Sequence, residues 1–161
     1  MELVPASSWY KSLKDLISIK DWNRIRNEAI RSAENKCEIC YAKGRIECHE
    51  IWSYDEENHF QYLDGLIALC KNCHLIKHWG YASSLFVNDE TLRTKLIKHF
   101  LIVNGVDNDV FESHKNEVTI QWRERSNYTW EIDYGKWSQF LKVHPNQKNL
   151  TDWENPSNEE K

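Results

Sequence analysis

Two pairs of cysteines constrain this chain more than any other feature of its sequence. Cys37 and Cys40 form one Cys-x-x-Cys pair, Cys70 and Cys73 form the other, and 29 residues separate the two pairs. Such pairs supply four thiolates to a tetrahedral centre, and zinc is the ion expected there. Buried thiols without a metal are the alternative. A full thiolate shell leaves no open position for a substrate, so we expect a structural zinc site.

The composition is that of a globular protein in a reducing compartment. The chain has 161 residues, of which 40% are hydrophobic and 29% are charged. No apolar run approaches the ~20 residues that span a bilayer, and the first eight residues do not resemble a secretory signal. We therefore expect a cytoplasmic protein without a membrane partner, in which Cys-x-x-Cys pairs bind metal before they form disulfides. The Asn-, Lys- and Ile-rich composition suits a bacterial or phage-infected cell.

Hydrophobic periodicity and turn residues predict four segments along the chain. They are an N-terminal arm and helix (1–36), a zinc-stapled core (37–80), C-terminal helices with a short strand (81–144) and a mobile tail (145–161). The first helix has Asp21 as a plausible N-cap, with Trp22 and Ile25 at helical spacing. Within the zinc-stapled core, the sequence predicts a strand (45–51), a polar loop (52–65), a strand (66–69) and a helix (72–79) ended by Gly80. The later helices have Asn88 or Asp89, and Asp107 or Asp109, as possible N-caps.

The charge distribution indicates which part of the chain would contact phosphates. The net charge is −4, but residues 1–45 carry nine Lys or Arg against six Asp or Glu, whereas residues 107–161 carry seven against eleven. Phosphate contacts are therefore expected from the first helix and the zinc region. The candidates are Arg24, Arg26, Arg31, Lys71 and Lys77. A solvated helix face is the alternative explanation for these charges.

Three histidines stand out once the cysteines are assigned. His49 lies at the end of the first predicted strand, and His74 and His78 are four residues apart on one face of the predicted helix. A strand histidine opposite such a pair suits a divalent metal with open coordination positions. The alternatives are surface histidines or competing zinc ligands. The other histidines have no partners in the pattern and are expected to be structural or solvated: His59, His99, His114 and His144.

The residues between the cysteine pairs resemble a known enzyme family. Glu47-Cys48-His49-Glu50-Ile51, followed after a loop by residues 65–74 and by His78, is similar to the HNH (ββα-metal, His-Me finger) nucleases that carry a four-cysteine zinc. The resemblance covers about residues 37–80, a quarter of the chain. It implies an α+β, mostly helical small domain around a zinc-stapled ββα core. It also implies hydrolysis of phosphodiester bonds in nucleic acid, DNA being favoured, with Mg²⁺, Mn²⁺, Ni²⁺ or Zn²⁺ at a second site.

The resemblance assigns metal ligands, but this sequence departs from the family pattern at two catalytic positions. His49 matches the first metal ligand, His74 the helix ligand and His78 the additional histidine of three-histidine members. Glu50 stands where the family has its general-base histidine, and Gly65 stands where it has the asparagine that orients that base. Glu50 could act as the base; alternatively His49 could be the base, with Glu50 or Asp55 helping to hold the ion.

A third possibility is that the protein has lost hydrolytic activity. Two hypotheses about its function therefore remain. The first is a metal-dependent endonuclease in which Glu50 and His49 are catalytic. The second is a catalytically degenerate, zinc-containing HNH-like module that binds nucleic acid or a protein partner. The cysteine pattern does not separate them, because both hypotheses keep the structural zinc.

Overall fold

The computed structural model describes residues 1–142, about half of which are helical, and has one small sheet. The helices are α1 (Leu13–Leu16), α2 (Ile19–Ser32), α3 (Lys71–Lys77), α4 (Trp79–Leu85), α5 (Glu90–Asn104) and α6 (Asn108–Arg125). The strands are β1 (Ile46–Asp55), β2 (Phe60–Cys70) and β3 (Glu131–Asp133), with 3₁₀ turns at Ala6–Ser8 and Gly135–Phe140. The predicted α+β class is confirmed. The tail expected at 145–161 lies outside the described residues.

The sheet is built on a long hairpin where the sequence predicts a polar loop. β1 and β2 pair antiparallel from Ile46 opposite Cys70 to Asp55 opposite Phe60, and β3 adds to β2 in parallel. The prediction of a loop over 52–65 is wrong, because alternating aromatic residues continue both strands toward a short polar turn. The Asp55 carboxylate closes that turn by accepting hydrogen bonds from the backbone N–H groups of Glu57 and Asn58.

Helix α2 begins earlier than the sequence predicts. Ser18, and not Asp21, is its N-cap: the Ser18 hydroxyl oxygen accepts from the Asp21 backbone N–H at 3.0 Å. The same hydroxyl donates to the Asp21 carboxylate at 2.6 Å, which keeps it in place to accept from the Asp21 N–H. Trp22 and Ile25 are buried, as their helical spacing predicts.

Helices cover both faces of the hairpin. One face carries Cys48 and packs against a cluster made by α1, α2 and the C-terminal 3₁₀ turn, whose buried members are Leu13, Ile17, Trp22, Ile25, Leu63, Tyr134 and Trp137. Because successive strand residues point to opposite faces, Glu47 and His49 lie on the other face, which α3 covers. The two faces therefore have separate surroundings, and this decides which residues meet at a site.

The predicted helix at 72–79 is two helices. α3 ends at Lys77, His78 has a non-helical backbone (φ −87°, ψ 48°), and α4 begins at Trp79, so Gly80 lies inside a helix instead of ending one. The second core cluster is formed by residues on both sides of this junction: Ile76, Trp79, Ala82, Leu96 and Phe111. The buried Trp79 side chain therefore holds the junction next to His78.

Helices α5 and α6 begin at N-caps that the sequence predicts. Asp89 and Asp107 are their N-caps, each accepting from a backbone N–H three residues ahead. Gly105 ends α5 in the left-handed conformation with φ 64°, which glycine adopts without a steric penalty. Within residues 1–142, no helix has both the length and the apolar character needed to cross a membrane.

The N-terminal arm is tied across the α3 side of the hairpin. The backbone N–H of Glu2 donates to the carbonyl oxygen of Lys77 at 3.0 Å. The carbonyl oxygen of Val4 accepts from the indole N–H groups of Trp9 and Trp122, each at 3.1 Å. The arm is irregular, as the sequence predicts, but these bonds give Glu2 a defined position between β1 and α3.

Candidate metal-binding sites

The four cysteines of the two pairs converge on one point. One sulfur from each of Cys37, Cys40, Cys70 and Cys73 lies within 4.8 Å of the others, and the Cys40 and Cys70 sulfurs are 3.6 Å apart. Zn–S bonds of about 2.3 Å in a tetrahedron separate the sulfurs by about 3.8 Å. The donor set therefore fits a metal ion such as zinc, as the cysteine spacing predicts.

Backbone groups prepare the first pair for metal binding. Burial opposes ionisation of Cys37, but hydrogen bonds from the backbone N–H groups of Cys40, Cys70 and Ile39 outweigh it and lower the pKa of Cys37 to about 7. The loop that makes this possible turns sharply at Tyr41, whose φ is 60°. Thiolates are the form that binds zinc, so this loop favours the binding state.

The second pair is joined to the start of α3 and to a histidine. The Cys73 backbone N–H donates to the Cys70 sulfur, which caps α3. Burial and the nearby Cys70 and Cys37 sulfurs raise the pKa of Cys73, a penalty that a bound cation would reverse. Nε2 of His99 lies 3.2 Å from the Cys73 sulfur, so an N–H at this nitrogen would donate to that sulfur once a bound cation keeps it as a thiolate. Sequence reasoning left His99 without a partner, because this contact joins α5 to α3.

Cys48 lies apart from the other four cysteines. It packs on the opposite face of the hairpin among apolar side chains, where burial raises its pKa to about 12. This placement agrees with the interpretation of Cys48 as a small apolar residue.

The three histidines from the strand and the helix also meet. One ring nitrogen from each of His49, His74 and His78 lies within 4.8 Å of the others, and Nδ1 of His49 is 3.0 Å from Nε2 of His78. Two nitrogens bound to one ion at about 2.0–2.1 Å are separated by about 3 Å when they are at right angles. His49 is buried, His74 partly buried and His78 exposed, so the cluster opens to solvent on the His78 side.

His74 and His78 are held in the form that binds metal. Although His78 as a whole residue is exposed, its ring packs against the rings of His49 and His74. Burial of that ring, followed by the neighbouring His49 and His74 rings, lowers the pKa of His78 to about 4. Burial also lowers the pKa of His74, against the opposing effect of Glu47. Both imidazoles are therefore neutral at pH 7, and a neutral imidazole offers a lone pair.

Two carboxylates that sequence reasoning missed contact this cluster. Nδ1 of His74 lies 2.6 Å from Oε2 of Glu47, and Nε2 of His49 lies 3.4 Å from Oε2 of Glu2. Glu47 was detectable, because it precedes His49 by two residues and shares its strand face. Glu2 had no such signal, since it is 47 residues from His49 along the chain.

Glu50, the expected general base, points away from the histidines. Its side chain lies on the opposite face of the hairpin, where Oε1 accepts from the Leu13 backbone N–H at 2.8 Å. Burial, reinforced by Asp15, raises the pKa of Glu50 to about 7 against the backbone N–H groups of Leu13 and Lys14. Asp55, the other carboxylate considered, closes the hairpin turn. The fold therefore does not bring Glu50 to the histidine cluster.

The expected phosphate contacts divide between two surfaces. Lys71 is exposed at the start of α3, and Nζ of Lys77 lies 3.4 Å from Oε2 of Glu2, beside the histidines. The other three candidates, Arg24, Arg26 and Arg31, are exposed on α2, which packs on the opposite face of the hairpin. Only the two lysines share an element with His74.

Comparison of the chain with protein-family models, curated proteins and solved structures gives no match.

Proposed function

We propose that the chain is a metal-dependent endonuclease of the HNH type that hydrolyses phosphodiester bonds in nucleic acid, with DNA favoured as the substrate. The observation that carries the proposal is the histidine cluster, in which one residue of β1, one residue of α3 and the residue that follows α3 bring ring nitrogens within 4.8 Å. A closed structural site has no need of neutral, partly solvated histidines beside it. A catalytic ion needs such partly solvated ligands, because the substrate must reach the ion.

The two sites have different roles in this proposal. The four cysteines connect the loop that carries Cys37 and Cys40 to the end of β2 and the start of α3. A structural zinc there would therefore fix α3 relative to the hairpin. His74 directly follows Cys73, so that constraint extends to the histidine cluster. A divalent cation held by His49, His74 and His78 would polarise the scissile phosphate and stabilise the leaving oxygen.

The lysines on α3 are the proposed phosphate contacts nearest to the reaction. Lys71 begins the helix and Lys77 ends it, so both lie within one short helix of His74. The α2 arginines Arg24, Arg26 and Arg31 would reach a nucleic acid only from the opposite face of the hairpin. We therefore assign them to contacts away from the scissile bond, if the substrate wraps that far.

One observation favours the second function, a zinc-containing module that binds nucleic acid or a protein without cutting. Glu50 occupies the position of the family's base and is turned into the fold, hydrogen-bonded to α1. A site whose base has been redirected to a structural contact is what a catalytically degenerate relative would contain. Activity on a substrate decides between the two functions.

A plasmid-nicking assay with Mg²⁺, Mn²⁺ or Ni²⁺ tests the proposal, with wild-type protein compared with His74→Ala. A matched control is His59→Asn, because His59 lies in the hairpin turn with φ 55°, a conformation that asparagine tolerates. We expect nicking by wild type and the control, and at least a hundredfold loss for His74→Ala. Equal nicking by all three proteins would refute the site. Absence of nicking on DNA and RNA would favour the binding module.

A further inference from the structure

We propose that Glu47 and Glu2 are positioning residues that set which nitrogen of His74 and which nitrogen of His49 faces the divalent cation. This inference rests on the proposed function, since it concerns the same histidine cluster. Its basis is the pair of carboxylate–imidazole contacts, one to each histidine. A histidine that binds metal through one nitrogen usually donates its other N–H to such a partner, which fixes the ring and its tautomer.

The contact of Glu47 with His74 is the shorter one. Oε2 of Glu47 is 2.6 Å from Nδ1 of His74, while Oε1 is 3.3 Å from Nε of Arg45. A carboxylate accepts hydrogen bonds but donates none when ionised, so the proton of the His74 ring must be on Nδ1. The lone pair is then on Nε2, which becomes the ligand atom of His74.

Glu2 makes the corresponding contact with His49. Its Oε2 lies 3.4 Å from both Nε2 of His49 and Nζ of Lys77, and its Oε1 accepts from the Trp52 backbone N–H at 3.1 Å. A proton on Nε2 of His49 satisfies this contact and leaves the lone pair on Nδ1, which in the metal-free protein accepts from an N–H at Nε2 of His78. That same Nδ1 lies 3.0 Å from Nε2 of His78, so the assigned tautomer presents a ligand atom to the cluster.

The two carboxylates reach the histidines from different parts of the chain. Glu47 belongs to β1, whereas Glu2 belongs to the N-terminal arm, which the Glu2 N–H and the Val4 carbonyl hold in place. The arm therefore supplies the carboxylate that contacts His49, in addition to packing on the hairpin. Removing either carboxylate should weaken metal binding without removing a ligand.

The test uses full-length protein with zinc in the cysteine site and measures Ni²⁺ binding by calorimetry. Glu47→Met and Glu2→Met remove the acceptor at similar side-chain length, and each should weaken Ni²⁺ binding about 10–100-fold. Glu47→Gln and Glu2→Gln keep an acceptor oxygen and should restore part of the affinity. Glu50→Gln is the matched control on the opposite face and should leave the affinity unchanged.

A second measurement reads the tautomers directly, before Ni²⁺ is added. Long-range ¹H–¹⁵N spectra of the imidazole rings should show the Nδ1–H form of His74 in wild type and Glu47→Gln, and its loss in Glu47→Met. Ni²⁺ binding and tautomers that are unchanged in both Met variants would overturn this inference alone. Wild-type protein that binds no Ni²⁺ would overturn the proposed function as well.

Discussion

Replacing Glu50 by glutamine should stabilise the protein above neutral pH. The carboxyl group lies partly buried against the start of α1, and burial raises its pKa from 4.5 to about 7. The folded state therefore holds a proton that the unfolded state releases between pH 4.5 and 7. Stability that depends on this proton is fully present below pH 4.5 and is lost as the pH rises through 7.

The size of the effect follows from the shift in pKa. Each unit corresponds to about 1.4 kcal/mol, so the ionised carboxylate destabilises the fold by up to about 3 kcal/mol above pH 7. Glutamine is never charged, and its amide oxygen still accepts from the Leu13 backbone N–H, the bond that Oε1 of Glu50 makes at 2.8 Å. Glu50→Gln and wild type should have similar stability near pH 4.5 and diverge as the pH rises to 8.

Urea unfolding at several pH values measures this difference, because all other titrating groups are common to both proteins. Glu57→Gln is the control: Glu57 is exposed in the hairpin turn, so its replacement removes one carboxyl group without touching the core. A Glu50→Gln variant that is less stable than wild type at pH 8 would refute the reasoning. That result would mean that the folded state favours the ionised carboxylate.

Two further predictions concern the cysteine site. Cys37→Ser should abolish stoichiometric zinc binding and prevent cooperative thermal unfolding, because the Cys37 sulfur is one of the four proposed zinc ligands. The control Cys48→Ser should retain one zinc per chain in metal analysis. A Cys37→Ser protein as stable as wild type would contradict the site. His99→Ala removes the ring nitrogen that faces the Cys73 sulfur at 3.2 Å. It should weaken zinc binding about tenfold in competition with a chromophoric chelator, and an unchanged affinity would mean that the contact has no influence on the metal.

Several local features could be predicted because nearby residues decide them. Asp89 and Asp107 cap their helices through backbone groups three residues away, and Gly105 ends α5 by adopting a positive φ. The hairpin was missed because its polar turn and the polar residues on its exposed positions obscured the alternation of the strands. Strand alternation alone predicts that Glu50 faces away from His49.

The sequence by itself determined the four-cysteine set and the grouping of the three histidines, since spacing of two and three intervening residues controls which side chains converge. Only the tertiary structure decided what surrounds them. Glu2 reaches His49 because the arm crosses the hairpin, and His99 reaches Cys73 because α5 packs on α3. Such contacts join residues distant along the chain, and they depend on how the hairpin and helices pack together rather than on any local pattern.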